Sequence, residues 1–126
     1  MTTNNLKTGS KYTCKYCGRQ FTREKTLAVH LCEPKRRMQQ QHEKWVQVGY
    51  ATYQRFYSLT QGNGDEKTYE HFAKSAYYNA FVKFGKHLLD INPVRPDLFI
   101  DYVIKKQIKL DWWCKDKVYQ DFLAHQ

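Results

Sequence analysis

The segment CKYCGRQFTREKTLAVHLC constrains this chain more than any other. It sets Cys14, Cys17, His30 and Cys32 within nineteen residues. A Cys-x-x-Cys turn presents two sulfurs on one edge of a tetrahedron, and the twelve residues that follow allow a short strand and two helical turns before the histidine. Thiolates and imidazole at such spacing are the ligand set of a structural zinc ion. The last interval is unusual, because a single leucine separates His30 from Cys32. On a continuous helix those two residues point to nearly opposite sides, about 200° apart. Cys32 can join the other three only if the helix stops near His30 or Leu31 and the chain curls back. Pro34 favours such a stop, since the residue before a proline avoids helical angles. The expected cofactor is therefore Zn²⁺ held by Cys14, Cys17, His30 and Cys32, with His42 as the rival for the fourth position. The fourth cysteine, Cys114, lies far off in an apolar setting and reads as a core residue. Clustering of three cysteines around a histidine favours metal in a reducing, intracellular compartment over disulfides.

The filler of this segment is informative too. Tyr12 lies two residues before the first cysteine, Phe21 four after the second, and Leu27 three before the histidine. Together with the ligands they make residues 12–32 resemble the C2H2 zinc-finger family, as a C2HC variant. The resemblance implies a ββα unit whose helix enters a DNA major groove, with Arg23, Thr26 and Val29 at the positions that meet base edges. Arg23 suits guanine, Thr26 is permissive, and Val29 offers only an apolar contact. One finger covers about 3 base pairs, so this is a thin code. The rest of the chain does not match the family. Its compact size, single finger and aromatic-rich helices faintly resemble small accessory proteins of tailed bacteriophages.

Charge is distributed unevenly. Of the 126 residues, 1–38 hold nine Lys/Arg against Glu24 and Glu33, whereas 39–126 hold twelve against ten acids. The positive excess thus coincides with the cysteine motif and its flanks. Lys11, Lys15, Arg19, Lys25, Lys35, Arg36 and Arg37 suit phosphates, giving salt-sensitive binding with little sequence preference.

Beyond the motif the pattern turns helical. Aromatic residues reach 16%, more than a disordered chain carries. Residues 1–11 read as a flexible arm, 12–34 as the finger and 35–126 as a helical domain. Met38, Trp45, Val48, Thr52, Phe56 and Leu59 form one apolar stripe ending at the turn QGNGD. A second helix is expected over 66–89, a third over 97–106 and a fourth over 111–123. The expected fold is mainly α: a small ββα finger followed by about four helices. The last two helices also resemble a helix-turn-helix, with Lys109, Lys115 and Lys117 on its second helix, but packing in a bundle accounts for them better. Tyr50, Tyr53, Tyr57, Tyr77 and Tyr78 suit base stacking, a partner surface or a half-buried core alike.

No phosphate loop, cofactor turn or nucleophile–base pair stands in the sequence, and no run approaches the apolar length of a membrane span. The sequence therefore predicts a non-enzymatic, intracellular nucleic-acid-binding protein, with double-stranded DNA favoured over RNA and another protein as a further partner. The alternative is a protein–protein adaptor using the finger and an aromatic helical face, for instance on transcription or replication machinery. A metal-dependent hydrolase would require an open zinc position.

Overall fold

The computed structural model describes residues 12–62 and 66–125; the expected arm, 1–11, lies outside them. The described residues separate into two compact units, one ending at Gln39 and one beginning at Gln40. The fold is mainly α with a small ββα-like start, as the sequence predicts.

In the first unit, β1 (Tyr12–Thr13) pairs antiparallel with β2 (Gln20–Phe21), Tyr12 opposite Phe21. Helix α1 (Glu24–Val29) follows, and then α2 (Glu33–Gln39). Pro34 thus sits in the first turn of α2 instead of barring a helix there. Proline is tolerated at that position because its missing N–H would have had no helical partner. What stops α1 is His30 itself, whose ψ of 133° takes the backbone out of the helical region.

The second unit begins with a 3-10 turn (Gln40–His42) and holds α3 (Lys44–Gln61), α4 (Tyr69–Ala73), α5 (Tyr78–Ile91), α6 (Pro96–Lys105), a second 3-10 turn (Leu110–Trp112) and α7 (Asp116–Ala124). Four of these helices correspond to the expected four. The expected helix over 66–89 is broken, leaving α4 as a fifth element. Thr68 opens α4 with a capping box shared with His71, and the Ser75 hydroxyl accepts a hydrogen bond from the Tyr77 N–H in the turn that follows. That turn brings the Phe72 ring to 4.7 Å from the Tyr78 ring. It also turns Tyr78, Phe81 and Val82 into the core. Propensity alone would run the helix through; side-chain capping and ring packing decide otherwise.

The core of this unit is built of rings. Phe72, Tyr78, Phe81, Phe84, Phe99 and Trp113 are almost wholly buried, each contributing on the order of 1.5–3 kcal/mol by leaving water. Phe84 and Trp113 meet edge to face at 5.1 Å, and Phe99 carries α7 through Phe122 at 5.2 Å and Tyr119 at 5.0 Å. Two buried polar side chains are answered locally, whereas the Nε2 of His87 is buried without a hydrogen-bond partner. The Thr52 hydroxyl donates to the Val48 carbonyl at 2.8 Å, and the Trp113 Nε1–H donates to the Ile108 carbonyl at 2.8 Å. The expected α3 stripe is partly rotated: Thr52 is buried as expected, but Val46, Gly49 and Tyr53 are buried with it, while Trp45, Val48 and Phe56 flank them.

Gly49 explains the rotation. Helices α3 and α5 cross there with almost no space between their backbones. A Cβ on Gly49 would lie 2.8 Å from the Phe81 carbonyl oxygen, and one on Gly85 would lie 2.3 Å from the Trp45 carbonyl oxygen. Elsewhere α3 is tied to α6 by a two-pronged ion pair, Arg55 Nε and Nη2 to the two oxygens of Asp101, each at 2.8 Å. The α6 helix ends with Gln107 at φ 57°, where Ile108 N–H bonds the Val103 carbonyl. Such a reversal normally uses glycine, so Gln107 holds about 1 kcal/mol or more of backbone strain. Among the described residues no helix is long and apolar enough to cross a membrane.

Two measurements test this account. Gly85→Ala should destabilise the second unit by about 2–3 kcal/mol in urea unfolding, because the obstructing atoms are backbone. The hydrogen bonds from Arg55 hold the Asp101 carboxyl below its ordinary range. A depressed folded-state pKa contributes stability above the unfolded value, near 4, and loses it as pH falls through the folded value. Since the Arg55 side chain is 46% exposed, Asp101→Asn should cost only about 0.5–1 kcal/mol at pH 7. The difference from wild type should vanish in acid, below the depressed carboxyl range.

Candidate metal centre

Local backbone geometry places each ligand. The Cys14 N–H donates to the Arg19 carbonyl and the Gly18 N–H to the Cys14 carbonyl, both at 2.8 Å, closing a knuckle around Cys17. Gly18 stands at φ 79°, a conformation glycine adopts without steric cost. This knuckle aims both sulfurs to one side. Helix α1 delivers His30 from the other, with the Phe21 ring 4.8 Å from the imidazole. After His30 the extended backbone redirects the chain, and Cys32 returns to the same centre. The early helix end required by the one-residue interval is therefore present.

The four ligand atoms lie within 4.8 Å of one another. Cys14 and Cys32 sulfurs are 3.9 Å apart, and Cys17 Sγ is 3.5 Å from His30 Nε2. A tetrahedral ion with metal–sulfur bonds of about 2.3 Å and metal–nitrogen bonds of about 2.0 Å sets edges of about 3.8 Å and 3.5 Å. The donor set and its spacing can hold a metal ion. The group includes Cys32 and not His42, which lies exposed in the 3-10 turn of the second unit. Cys114 is half-buried against the core of that unit, where burial pushes its thiol up.

The thiols differ in their electrostatics. Burial pushes Cys14 up, but hydrogen bonds from the Cys17 and Tyr16 backbone and from the Cys17 and Cys32 thiols outweigh it, bringing the group down to about 7. Cys32 is shifted upward, by burial first and then by its neighbours Cys17 and Cys14, against a backbone hydrogen bond from Lys35. Crowded sulfurs cannot all ionise without a cation among them, which is the condition a metal satisfies.

The cationic residues around the centre fall into two groups. Lys15, Arg19, Arg23 and Lys25 are exposed, as is the uncharged Thr26. Arg23 forms the N-cap of α1, and Lys25 and Thr26 lie on that helix. Lys15 stands over the Tyr16 ring at 5.2 Å and Arg19 over Phe21 at 5.4 Å. The basic run of α2 is engaged within the unit. Lys35 Nζ donates to the His30 carbonyl at 2.8 Å, and Arg36 and Arg37 both pair with Glu33. Their hydrogen bonds hold the Glu33 carboxyl below its ordinary range. Sequence reasoning missed these roles of Lys35 and Glu33. The spacing of Glu33 to Arg36 and Arg37, three and four residues on a helix, was the available signal, hidden by placing the boundary between finger and helical domain at residues 34 and 35. Lys11 lies outside the described residues.

If these four residues bind the ion together, Cys32→Ala should weaken metal affinity by more than about 100-fold, beyond the loss typical of an outer-sphere change. Competition with a chromophoric chelator measures this, and Cys114→Ala should leave affinity unchanged. Removing the metal should collapse the amide spectrum of residues 12–39 while that of the second unit persists. Compared with family models, curated proteins and solved structures, the chain finds no match in any of the three.

Proposed function

We propose that the ion is zinc, that its role is structural, and that the first unit binds nucleic acid, double-stranded DNA in preference to RNA, mainly through phosphates. Three sulfurs and one imidazole are the donors zinc favours, and four protein ligands complete a tetrahedron without an open position for a substrate. That supports a non-catalytic site. Thiolate ligands also fit a reducing, intracellular compartment.

The observation that carries the nucleic-acid reading is the charge of so small a unit. Residues 12–39 hold seven Lys/Arg against Glu24 and Glu33, and Glu33 is already committed to two arginines. Arg19, Arg23 and Lys25 stand exposed beside or on α1. Such a surface attracts a polyanion by displacing its condensed counterions. Specificity is expected to be low, because Arg23 alone among the expected base-reading positions carries a bidentate donor. A second reading has one observation in its favour: Val29 is 78% exposed and Leu31 58%, an apolar pair flanking His30 that a protein partner could cover.

Fluorescence anisotropy with a labelled duplex separates the two. Nucleic-acid binding predicts a slope of log K against log salt of about −4 to −6, set by the phosphates neutralised. Alanine at Arg19, Arg23 or Lys25 should each make the slope shallower by about 1. No duplex affinity at low salt, or slopes unmoved by these substitutions, would refute the reading in favour of a protein adaptor.

A further inference from the structure

The second unit carries a cleft that neither the metal centre nor phosphate binding uses. It encloses about 450 Å³ between the end of α3, the start of α5 and the segment joining α6 to α7. That volume lies in the range of sites that seat a small ligand or a few side chains. Its floor is apolar, formed by Phe56, Phe81, Ile104 and Trp113. At the rim Tyr77 is 57% exposed, and Lys109 extends over the ring of Trp112, itself half exposed.

Two features indicate what this cleft takes. The first is charge. Between residues 105 and 117 the chain carries five lysines against Asp111 and Asp116, and Lys109 among them lines the cleft, so the segment that forms this wall is cationic. Lys117 also pairs with Asp121, whereas Lys105, Lys106, Lys109 and Lys115 are exposed. The second is the composition of the walls. The indole N–H of Trp113 is spent on the Ile108 carbonyl and the Thr60 hydroxyl donates to the Phe56 carbonyl, leaving Tyr77, Gln107 and Lys109, with the rest of the Thr60 hydroxyl, as the polar groups of a mostly apolar lining. A nucleobase seated against the apolar floor of such a site would leave part of its edge donors and acceptors without partners, which is costly. A phenyl or aliphatic side chain leaves none.

The left-handed residue belongs to the same place. Gln107, which holds the φ of 57° where glycine is usual, lines the cleft, and the reversal it makes leads the chain into Ile108, Lys109 and Leu110. Glycine would relieve the strain but remove the amide from the rim. Strained non-glycine residues concentrate where a binding surface requires the side chain.

We propose that this cleft is a docking site for a short acidic segment of a partner protein, which inserts a bulky apolar anchor over Phe56, Phe81 and Trp113 and sets its carboxylates against Lys109 and its neighbours. The site is separate from the finger and holds whether or not the finger binds nucleic acid.

The test uses the full, metal-loaded chain and three synthetic peptides. The first is acetyl-Glu-Asp-Phe-Leu-Asp-Glu-amide, the second replaces its acids with lysine, and the third replaces Phe-Leu with Ser-Ser. Calorimetry should give a Kd of about 0.1 mM for the first, the modest affinity of a few ordered side chains, and at least tenfold weaker binding for the other two. Amide shifts should centre on residues 104–113 and the start of α5. Lys109→Glu and Tyr77→Ala, both at exposed positions, should each weaken the first peptide about fivefold or more while circular dichroism stays unchanged. Equal binding of the lysine peptide, or indifference to both substitutions, would overturn the proposal. So would a single-stranded oligonucleotide that shifts the same amides more strongly, or shifts that follow protein concentration alone and thus mark a second copy as the occupant.

Discussion

A unit of under thirty described residues with Cys14 as its single buried side chain cannot hold its shape by removing apolar area from water. Tyr12, Phe21 and Leu27 are only half covered, and its sheet is two residues wide. What defines residues 12–39 is the convergence of three sulfurs and one imidazole on a point. Each local feature serves that convergence: the glycine in the knuckle, the extended His30 that ends α1, and the lysine that reaches back to its carbonyl. The cationic surface depends on it in turn, since side chains displayed from so slight a frame are ordered only while the frame is.

The second unit solves the opposite problem. It has ample aromatic material, and its constraint is how closely that material can be brought together. Absence of side chains at Gly49 and Gly85 lets α3 and α5 approach to backbone contact, and the rings of Phe72, Phe81, Phe84 and Trp113 then fill the space on either side. Close packing of this kind fixes the remaining helices with few alternatives. It also sends Phe56 and Phe81 to the edge of the core, where they form the floor of an open cleft rather than sealing it.

Three members of the candidate metal cluster were legible because metal chemistry demands particular atoms at particular intervals, and Cys-x2-Cys-x12-His states them outright; the fourth was open between Cys32 and His42 until the backbone turn at His30 brought Cys32 to the group. The mainly helical character was legible from periodicity, and α6 lies within a residue or so of its expected bounds. Other features were not. The break between α4 and α5 rests on a capping box and on one hydroxyl, signals that are local and weak against a continuous apolar stripe. The role of Pro34 reversed because proline is compatible with a helix start as well as with a helix end, and sequence alone does not choose. Pairing of Arg36 and Arg37 with Glu33 changed the meaning of a basic run: a cluster counted as phosphate-binding also neutralises its own acid. The left-handed Gln107 carried no sequence signal at all, since residues other than glycine are rarely expected there.

The indole of Trp113, sealed in the core with its N–H on a carbonyl, has an optical consequence. All three tryptophans, Trp45, Trp112 and Trp113, belong to the second unit, and residues 1–39 contain none. The three differ in surroundings: one lies beneath an ammonium group at 4.3 Å, one is half in water and one is enclosed. Excitation at the red edge of indole absorption therefore reads the helical unit alone, while residues 12–39 hold only Tyr12 and Tyr16 as phenols. A melt followed through tryptophan would report loss of the larger frame, free of any contribution from residues 1–39 and without any label.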